Sequence, residues 1–570
     1  MSMHAAGGPL IVQSDASVLL DVRHPDAEEA RESLARFAEL VKRPEDLHTY
    51  RITPLSVWNA ASSGLTADEM TDDLIAFSRY DVPAGLIDRI ATWAGRYGKI
   101  RLEADGEELA LAADRDLAAE LEGLGLLPGP GDPAPDGGLK WRVPPERRGE
   151  LKRELTKLGF PVLDLAGYRR GGQLEVGLRP LTSSGAPFRL RDYQERAVDL
   201  FCREDAGAGG SGVIVLPCGA GKTIVGIAAL ARLRCEALIL TPSVTSVQQW
   251  RSELLDKTTL TERDIGVYAG SEREVRPVTI ATYSIMTCRS SKAEDYHHMK
   301  LFGERDWGLI IYDEVHLLPA PVFRMTADLQ AKRRLGLTAT LVREDGREED
   351  VFSLIGPKRF DLFWKTLEAK GWIARVTCTE IRVPLDPSAA AEYAAAGQRA
   401  RIRIAAENPA KLRVVGDLLA RHRGQPVLII GQYLRQLKQM AAAWGVPLVT
   451  GETGHEERER LYARFRSGEE PVLIVSKVAN LAVDLPDAAV AVQVSGSYGS
   501  RQEEAQRIGR IMRPKPGANE CWFYTVVTDG TKETEYARRR QLFLTEQGYA
   551  YGIMRMPEAD GAARTEAAGC

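Results

Sequence analysis

The chain has 570 residues, of which 44% are hydrophobic and 27% charged. This composition is typical of globular proteins, and the length predicts about three to four domains. No apolar run approaches the ~18–20 residues of a membrane span, and the seven cysteines include no C-x-x-C pair. We therefore predict no membrane association, no zinc, no iron–sulfur cluster and a cytoplasmic location. The formal net charge of −4 at pH 7 leaves nucleic-acid binding open, because binding requires only a local basic surface.

Residues 1–127 are predicted to form a mixed α/β N-terminal domain, in which short strand signals alternate with helical stretches. Thr66 and Glu69 have the capping-box spacing that begins a helix, and Asp105-Gly106 marks the turn of a predicted hairpin. Four aromatic side chains of this region are predicted to belong to its core rather than to a nucleic-acid surface: Trp58, Phe77, Tyr80 and Trp93.

Residues 128–138 read Pro-Gly-Pro-Gly-Asp-Pro-Ala-Pro-Asp-Gly-Gly, which is the composition of a linker. Residues 139–185 then predict a small α/β unit with the order strand, helix, strand. The helix carries a run of basic residues: Arg147, Arg148, Lys152, Arg153 and Lys157. Two interpretations of this run are open, a solvated helix face and contact with a DNA backbone.

An apolar run at 213–216 ends in a glycine-rich turn, Pro217-Cys-Gly-Ala-Gly-Lys-Thr223, and a helical stretch follows. Glycines let backbone N–H groups approach a phosphate, and the positive end of the helix favours an anion. In this pattern Lys222 reaches the β- and γ-phosphates of ATP, and the Thr223 hydroxyl ligates Mg²⁺. Leu216 replaces the first glycine of the strict pattern, which leaves the P-x-G-x-G-K-T variant of helicase-like motors. The ATP-binding residues predicted in this turn are Pro217, Gly219, Ala220, Gly221, Lys222 and Thr223.

Strands and helices alternate through the two remaining regions, 186–365 and 366–570. The first region has strand signals at 212–216, 237–240, 278–281, 308–312 and 334–337. The second has them at 426–430, 446–449, 471–475, 489–494 and 521–527. This rhythm predicts doubly wound parallel sheets, and only the first region contains a phosphate loop. The predicted fold class is therefore α/β, with two tandem RecA-like lobes that close around one nucleotide and a mixed α/β region before them.

A pair of carboxylates, Asp313 and Glu314, directly follows a predicted strand of the first lobe. The carboxyl end of a buried parallel strand is where nucleotides bind in such sheets. We predict that Asp313 holds Mg²⁺, mostly through water, and that Glu314 orients and deprotonates the attacking water. With Lys222 upstream, the pair predicts ATP hydrolysis.

Two short motifs flank this constellation. Arg191 and Gln194 stand at the first helix of the lobe, and a Gln amide can both donate to and accept from one adenine edge. Thr338 and Thr340 follow a strand and are predicted to couple the nucleotide state to lobe movement. For either motif taken alone, a capping or turn feature is an equally good interpretation.

The second lobe supplies arginines for the same reaction. Arg510 and Arg513, which follow Gln506, are spaced to lie on one face of a helix. An arginine that reaches the γ-phosphate contributes roughly 4–7 kcal/mol to transition-state stabilisation. We predict that all three residues are catalytic.

Contacts with the DNA backbone are predicted for Ser476 and Lys477, and for Thr282 in the first lobe. Asp484 is predicted to contact the ribose of ATP or to couple the lobes.

The order and spacing of these motifs resemble superfamily-two helicases, and most closely the XPB family of DNA helicases and translocases, particularly its bacterial members. The segments that carry the resemblance are Leu216–Thr223, Asp313–Ala320, Leu335–Asp345 and Gly496–Arg513. The triplet Arg343-Glu344-Asp345 is a mark of that family. The N-terminal region also resembles the family's N-terminal domain, so the resemblance covers about residues 45–550.

The resemblance implies an ATP-driven motor that tracks DNA 3′→5′ and opens the duplex in nucleotide excision repair. It implies ATP and Mg²⁺ as cofactors, single-stranded and forked duplex DNA as substrates, and a repair nuclease as a partner. A nucleoid-associated monomer or weak oligomer is expected. The residues implied in strand separation and coupling are Thr338, Thr340, Arg343, Glu344 and Asp345. Residues 139–185 occupy the place of a damage-recognition domain, and 388–408 that of a shortened thumb.

Two alternatives stay open. A double-strand DNA translocase that does not unwind would share every ATPase motif. A scaffold whose ATP site only switches conformation in a DNA-processing complex is disfavoured by the intact Lys222, Glu314, Arg510 and Arg513.

Overall fold

The structure is a computed structural model, and it divides the chain into two compact units. One comprises Met1–Val215 with Gly221–Asp361, and the other Leu362–Cys570 with the short segment Leu216–Ala220. No helix in the described part of the chain is both long and apolar enough to cross a membrane. The structure describes residues 7–42, 47–106, 108–127, 129–144, 147–166, 171–203, 211–217, 219–288, 297–318, 322, 333–339, 348–362, 364–476, 488–495, 519–546 and 551–556.

The first unit begins with a four-stranded antiparallel sheet of order β1-β2-β4-β3 that packs against helices. Its strands are β1 Leu10–Val12, β2 Ser17–Asp21, β3 Glu39–Lys42 and β4 Leu47–Arg51, and the helices are α1 Ala27–Leu34, α2 Pro54–Ser62, α3 Ala67–Phe77 and α4 Ala84–Arg96. The predicted capping box is confirmed, since Thr66 Oγ1 accepts from the Glu69 amide at 3.2 Å and Glu69 accepts from the Thr66 amide at 2.8 Å. Trp58 is buried as predicted, and Phe77 and Trp93 pack against the hydrophobic core of this sheet and its helices. The prediction for Tyr80 is wrong: it lies beyond the end of α3 and is 67% exposed.

A five-stranded sheet of order β7-β8-β6-β5-β9 follows. Its elements are β5 Ile100–Asp105, β6 Glu108–Ala113, α5 Arg115–Gly123, β7 Asp132–Pro133, β8 Leu139–Val143, α6 Arg148–Lys157 and β9 Val162–Asp164. The predicted hairpin, β5 with β6, is confirmed. Residues 128–138 are predicted to be a linker between domains, but the strands before and after them pair within one sheet. Strand β6 pairs with β8, and β5 pairs with β9. The predicted boundary falls inside one sheet, since β8 and β9 supply backbone partners that the hairpin alone would lack.

The basic run on α6 is not a uniform exposed face. Arg148 and Lys152 are only 4% and 7% exposed, and both bind Asp164 at the end of β9. Arg148 Nε donates to Oδ2 at 3.0 Å, and Lys152 Nζ donates to the same oxygen at 2.9 Å. Burial acts to raise the pKa of Asp164, but Lys152 and Arg148 outweigh it and lower that pKa well below its usual value. Neither interpretation of the basic run therefore applies to these two side chains, because their partner lies in a later strand.

We expect Asp164→Asn to destabilise the first unit by about 3–5 kcal/mol, because it leaves two buried cations without their counter-charge. The measurement is urea unfolding at neutral pH. Since the folded-state pKa is lowered, the contribution of Asp164 is complete above an unfolded-state pKa of about 3.9 and decreases as the pH falls below it. The control is Asp136→Asn, which removes a partly exposed partner of Arg101 and should cost less than about 1 kcal/mol. Equal losses in the two variants would contradict the prediction.

The rest of the first unit is built on a seven-stranded parallel sheet of order β12-β13-β11-β14-β15-β10-β16. Its strands are β10 Ser211–Val215, β11 Ala237–Thr241, β12 Ile265–Tyr268, β13 Val278–Thr282, β14 Leu309–Asp313, β15 Arg333–Thr338 and β16 Lys358–Asp361. The helices are α7 Asp192–Cys202, α8 Lys222–Leu233, α9 Val244–Lys257, α10 Tyr283–Met286, α11 Leu301–Glu304 and α12 Glu348–Leu354. The five predicted strands are confirmed, and their continuous burial is the pattern of a sheet covered on both faces. The strands that sequence reasoning missed, β12 and β16, lie at the two edges.

The second unit contains another seven-stranded parallel sheet, of order β19-β20-β18-β21-β22-β17-β23. Its strands are β17 Arg375–Val383, β18 Val427–Gly431, β19 Leu448–Val449, β20 Val472–Ser476, β21 Val490–Gln493, β22 Glu520–Thr528 and β23 Tyr551–Arg555. The helices are α13 Trp364–Ala369, α14 Pro387–Ala395, α15 Gln398–Ala406, α16 Ala410–Arg421, α17 Leu434–Trp444, α18 His455–Ser467 and α19 Lys532–Glu546. The predicted fold class, two parallel-sheet α/β lobes after a mixed N-terminal region, is confirmed. The stretch predicted as a shortened thumb forms α14 and α15.

Candidate active site

The candidate site lies at the carboxyl edge of the parallel sheet in the first unit. Strands β14, β15 and β10 are neighbours in that order, with Asp313 beside Leu337 and Val215 beside Thr338. Asp313 and Thr338 are the last residues of β14 and β15, and the adjacent strand β10 leads into the turn before α8. This is the edge at which parallel α/β sheets bind ligands.

Gly221 shapes the entry into α8. Its φ of 78° lies in the left-handed region and it caps the helix that begins at Lys222. A Cβ at this position would lie 2.6 Å from Gln194 Nε2, so a side chain is disfavoured by backbone conformation and by space. Gly219, earlier in the turn, also has a positive φ of 80°. The first amides of α8 have no acceptors within the helix, which suits an anion.

Gln194 is buried beside this turn. Its Oε1 accepts from the Arg191 amide at 2.9 Å at the start of α7, so the capping interpretation is confirmed for this motif. The Nε2 end of the same amide lies next to Gly221. Capping fixes the amide close to the phosphate loop, and the adenine contact of Arg191 and Gln194 stays a prediction.

Lys222 and Glu314 form an ion pair, with Nζ and Oε1 3.1 Å apart and both side chains largely buried. Burial acts to raise the pKa of Glu314, but Lys222 and His316 together lower it below its usual value. His316 Nδ1 lies 3.5 Å from Glu314 Oε2 and 2.7 Å from Thr338 Oγ1. The structure thus connects Lys222, Glu314, His316 and Thr338. No role is predicted for His316 from the sequence motifs, and only its position two residues after Glu314 marks it as part of the site.

The backbone of Glu314 is strained. Its φ of 51° and ψ of 57° place a non-glycine residue in the left-handed region, at a cost of about 1–3 kcal/mol. The Leu317 amide donates to the Glu314 carbonyl at 2.8 Å and closes the turn that follows β14. This turn and the ion pair with Lys222 hold the predicted catalytic carboxylate in place.

Asp313 is held by two aromatic residues that sequence analysis missed. Trp250 Nε1 donates to Asp313 Oδ2 at 3.0 Å, and the Tyr283 hydroxyl donates to the Asp313 carbonyl at 2.9 Å. Burial and the Glu314 carboxylate raise the pKa of Asp313 to about 6. No sequence motif marks Trp250 or Tyr283, which lie on helices after β11 and β13.

Two residues predicted to contact DNA lie at strand ends. Thr282 is buried at the end of β13, where its Oγ1 accepts from the Ile285 amide at 3.3 Å and caps α10. The structure therefore gives this hydroxyl a capping role rather than an exposed position. Ser476 is buried at the end of β20 in the second unit. The remaining predicted site residues lie outside the described residues: Thr340, Arg343, Glu344, Asp345, Lys477, Asp484, Gln506, Arg510 and Arg513.

The donor set of the first unit fits the requirements of a magnesium–nucleotide site. A carboxylate and a hydroxyl, Asp313 and Thr223, are the hard oxygen ligands that Mg²⁺ prefers. The N-terminus of α8 and Lys222 are suited to phosphates. The absence of a Cβ at Gly221 lets the Gln194 amide lie against the phosphate-loop backbone.

Family models match most of the chain. The "ERCC3/RAD25/XPB C-terminal helicase" model matches residues 367–566. The model "Type III restriction enzyme, res subunit" matches 187–343, and "Helicase conserved C-terminal domain" matches 10–123. The segment 187–343 contains six strands of the first parallel sheet, β10 to β15, and the segment 367–566 contains all seven strands of the second.

Curated relatives align over nearly the whole chain. The "DNA 3'-5' helicase XPB" of Kineococcus radiotolerans is 52% identical and covers 97% of this chain and 98% of its own. The protein of the same name from Mycobacterium tuberculosis is 51% identical and covers 96% and 97%. The "General transcription and DNA repair factor IIH helicase/translocase subunit XPB" of Antonospora locustae is 34% identical and covers 95% and 81%. Identity at this level over nearly the whole chain confirms the resemblance that the sequence motifs indicate, and the chain belongs to the XPB family of DNA 3′–5′ helicases.

Proposed function

We propose that the chain hydrolyses ATP to move 3′→5′ along DNA and to open the duplex during DNA repair. The observation that carries this proposal is the ion pair of Lys222 with Glu314, 3.1 Å apart at the carboxyl edge of the sheet. It brings a phosphate-binding cation and a general-base carboxylate to one place. Residues 186–365 and 366–570 are the proposed helicase lobes. The five-stranded sheet that contains β8 and β9 is the proposed place of the damage-recognition function.

In the first lobe, Lys222 and the amides at the start of α8 bind the phosphates, and Gln194 with Arg191 contacts adenine. Thr223 and Asp313 hold Mg²⁺, which supplies neutralisation of charge on the phosphate oxygens. Glu314 accepts the proton of the attacking water. Lys222 and His316 favour the ionised form of Glu314, and this is the form that a general base requires.

Thr338 couples the site to DNA in this proposal. Its Oγ1 lies 2.7 Å from His316 Nδ1, and His316 lies beside Glu314. The chain continues from Thr338 to Thr340 and the triplet at 343–345. A movement of this segment on DNA binding would therefore change the position of the Glu314 carboxylate through the side chains of Thr338 and His316.

The second lobe completes the reaction. Gln506, Arg510 and Arg513 are proposed to act on the γ-phosphate, on the basis of their spacing, and Asp484 to contact the ribose. Lys477 is the proposed contact with the DNA backbone, and Ser476, which is buried, precedes it at the end of β20. Single-stranded and forked duplex DNA are the proposed substrates, and a repair nuclease is the proposed partner.

The test is ATP hydrolysis with and without single-stranded DNA, together with unwinding of duplexes that carry a 3′ or a 5′ single-stranded tail. We expect DNA to stimulate hydrolysis and only the 3′-tailed duplex to open. Stimulated hydrolysis without unwinding would favour a translocase that does not open DNA. Hydrolysis that is indifferent to DNA would contradict the proposal and favour an ATP-switched scaffold.

We expect Arg343→Ala to leave DNA-stimulated ATP hydrolysis largely intact and to weaken strand separation, because the triplet acts on DNA and not on phosphate. The measurement is the ratio of base pairs opened to ATP hydrolysed on a 3′-tailed duplex. The control is Arg232→Ala, which removes an exposed arginine paired with Asp199 on α7 and should leave the ratio unchanged. An equal loss of both activities in Arg343→Ala would refute the role in strand separation.

A further inference from the structure

Trp250 is a buried side chain to which the sequence motifs give no function. It lies in α9, the helix that follows β11, and is 1% exposed. Its indole N–H points to a residue 63 positions later in the chain, Asp313, rather than to a backbone carbonyl. A buried indole N–H needs an acceptor, and here the acceptor is the carboxylate proposed to hold Mg²⁺.

The hydrogen bond fixes one oxygen of that carboxylate. Trp250 Nε1 and Asp313 Oδ2 are 3.0 Å apart, an ordinary length for a donor of this type. An indole N–H only donates, so it orients the carboxylate without adding a charge that would compete with a metal ion. The Tyr283 hydroxyl fixes the backbone of the same residue through its carbonyl. Asp313 is therefore held at two points, one on the main chain and one on the side chain.

The ring of Trp250 also touches the phosphate-loop helix. A Cβ at Gly226 would lie 2.5 Å from Trp250 Cη2 and 3.2 Å from Leu337 Cδ1. Helix α8 therefore has a glycine at the position where the indole ring of Trp250 packs against it. Gly226 is three residues after Thr223, so the ring packs against the helical turn next to the second proposed metal ligand.

We propose that Trp250 is a positioning residue for the metal site, whose N–H orients Asp313 and whose ring sets the separation of Asp313 from α8. This inference rests on the proposed roles of Asp313 and Thr223. Residues that orient metal ligands typically change metal affinity by about 10–100-fold when they are replaced. Replacing Trp250 is therefore expected to lower the affinity of the site for a divalent metal ion, in addition to any loss of stability.

The test is Trp250→Phe, which keeps an aromatic ring and removes the N–H donor. The probe is Mn²⁺, whose binding to the full-length protein with ADP is followed by electron paramagnetic resonance. We expect about a 10-fold or larger loss of Mn²⁺ affinity, with ADP affinity in the presence of EDTA unchanged. A Trp250→Phe protein with wild-type Mn²⁺ affinity would overturn the proposal.

Trp307→Phe is the matched control. Trp307 is a fully buried indole of the same unit, and its N–H donates to the Leu301 carbonyl at 2.9 Å. It should lose stability without loss of Mn²⁺ affinity, and a similar loss of affinity in both variants would show that the effect is only structural. If Trp250→Phe does not fold, Gly226→Ala displaces the ring while keeping the indole, and the same affinity loss is expected.

Asp313→Asn separates this inference from the function on which it rests. We expect this variant to lose Mn²⁺ binding. Retained binding would refute the metal role of Asp313 itself. Lost binding in Asp313→Asn together with unchanged binding in Trp250→Phe and Gly226→Ala would refute only the positioning role of Trp250.

Discussion

Lys222→Ala is expected to reduce ATP turnover by at least about 10²–10³-fold, because the transferred phosphoryl group loses a cation that stabilises its developing charge. The structure adds a second reason. Lys222 Nζ lies 3.1 Å from Glu314 Oε1, so alanine would also remove the nearest cation from a buried carboxylate. The measurement is the steady-state kcat and KM for ATP at saturating DNA, with ADP affinity measured separately by titration.

The control for this variant is Lys257→Ala. Lys257 lies on α9, is largely buried and pairs with Glu253 and Asp256 at 2.7 Å. No role in phosphate binding is proposed for it. Turnover should stay at the wild-type level in Lys257→Ala. Wild-type ATP turnover in Lys222→Ala would show that the ion pair of Lys222 with Glu314 is only structural.

Glu314→Gln is expected to reduce hydrolysis by about 10²–10⁴-fold, because an amide cannot accept the proton of the attacking water. The substitution preserves size, so the turn after β14 and the hydrogen bond of the Leu317 amide should persist. Lys222 would lose its charged partner and remain available to phosphate, so ATP binding should not weaken. The measurement is single-turnover hydrolysis together with equilibrium binding of ATP.

Glu253→Gln serves as the matched control, since Glu253 is also paired with a lysine but lies on α9. It should hydrolyse ATP normally. A Glu314→Gln protein that binds ATP and hydrolyses it at the wild-type rate would assign the base role to another residue. Loss of ATP binding in this variant would instead indicate that the strained turn had collapsed.

Unwinding should disappear together with hydrolysis in Lys222→Ala and Glu314→Gln, because both act before any movement on DNA. Arg343→Ala should differ, since it is expected to separate the two activities. The three variants together therefore distinguish a defect in the ATP site from a defect in strand separation.

The sequence by itself determined the parts of this protein that local patterns encode. Continuous apolar runs such as those of β10, β11 and β14 predict buried parallel strands, because such strands are covered on both faces. The glycines of the phosphate loop reveal their role because only glycine readily adopts a positive φ. The capping box of Thr66 is likewise complete within four residues. In each case the residues that interact are neighbours in the chain.

Only the tertiary structure decided which distant residues meet. The role of Arg148 and Lys152 was ambiguous because a run of basic residues does not reveal whether a buried carboxylate in a later strand pairs with them. Here that carboxylate is Asp164. The linker at 128–138 looked like a boundary because Pro and Gly mark turns between paired strands as well as joints between domains. The contacts of Trp250 with Asp313 and of His316 with Thr338 depend on the strand order of the sheet. That order is set by the packing of the whole lobe, and no local pattern contains it.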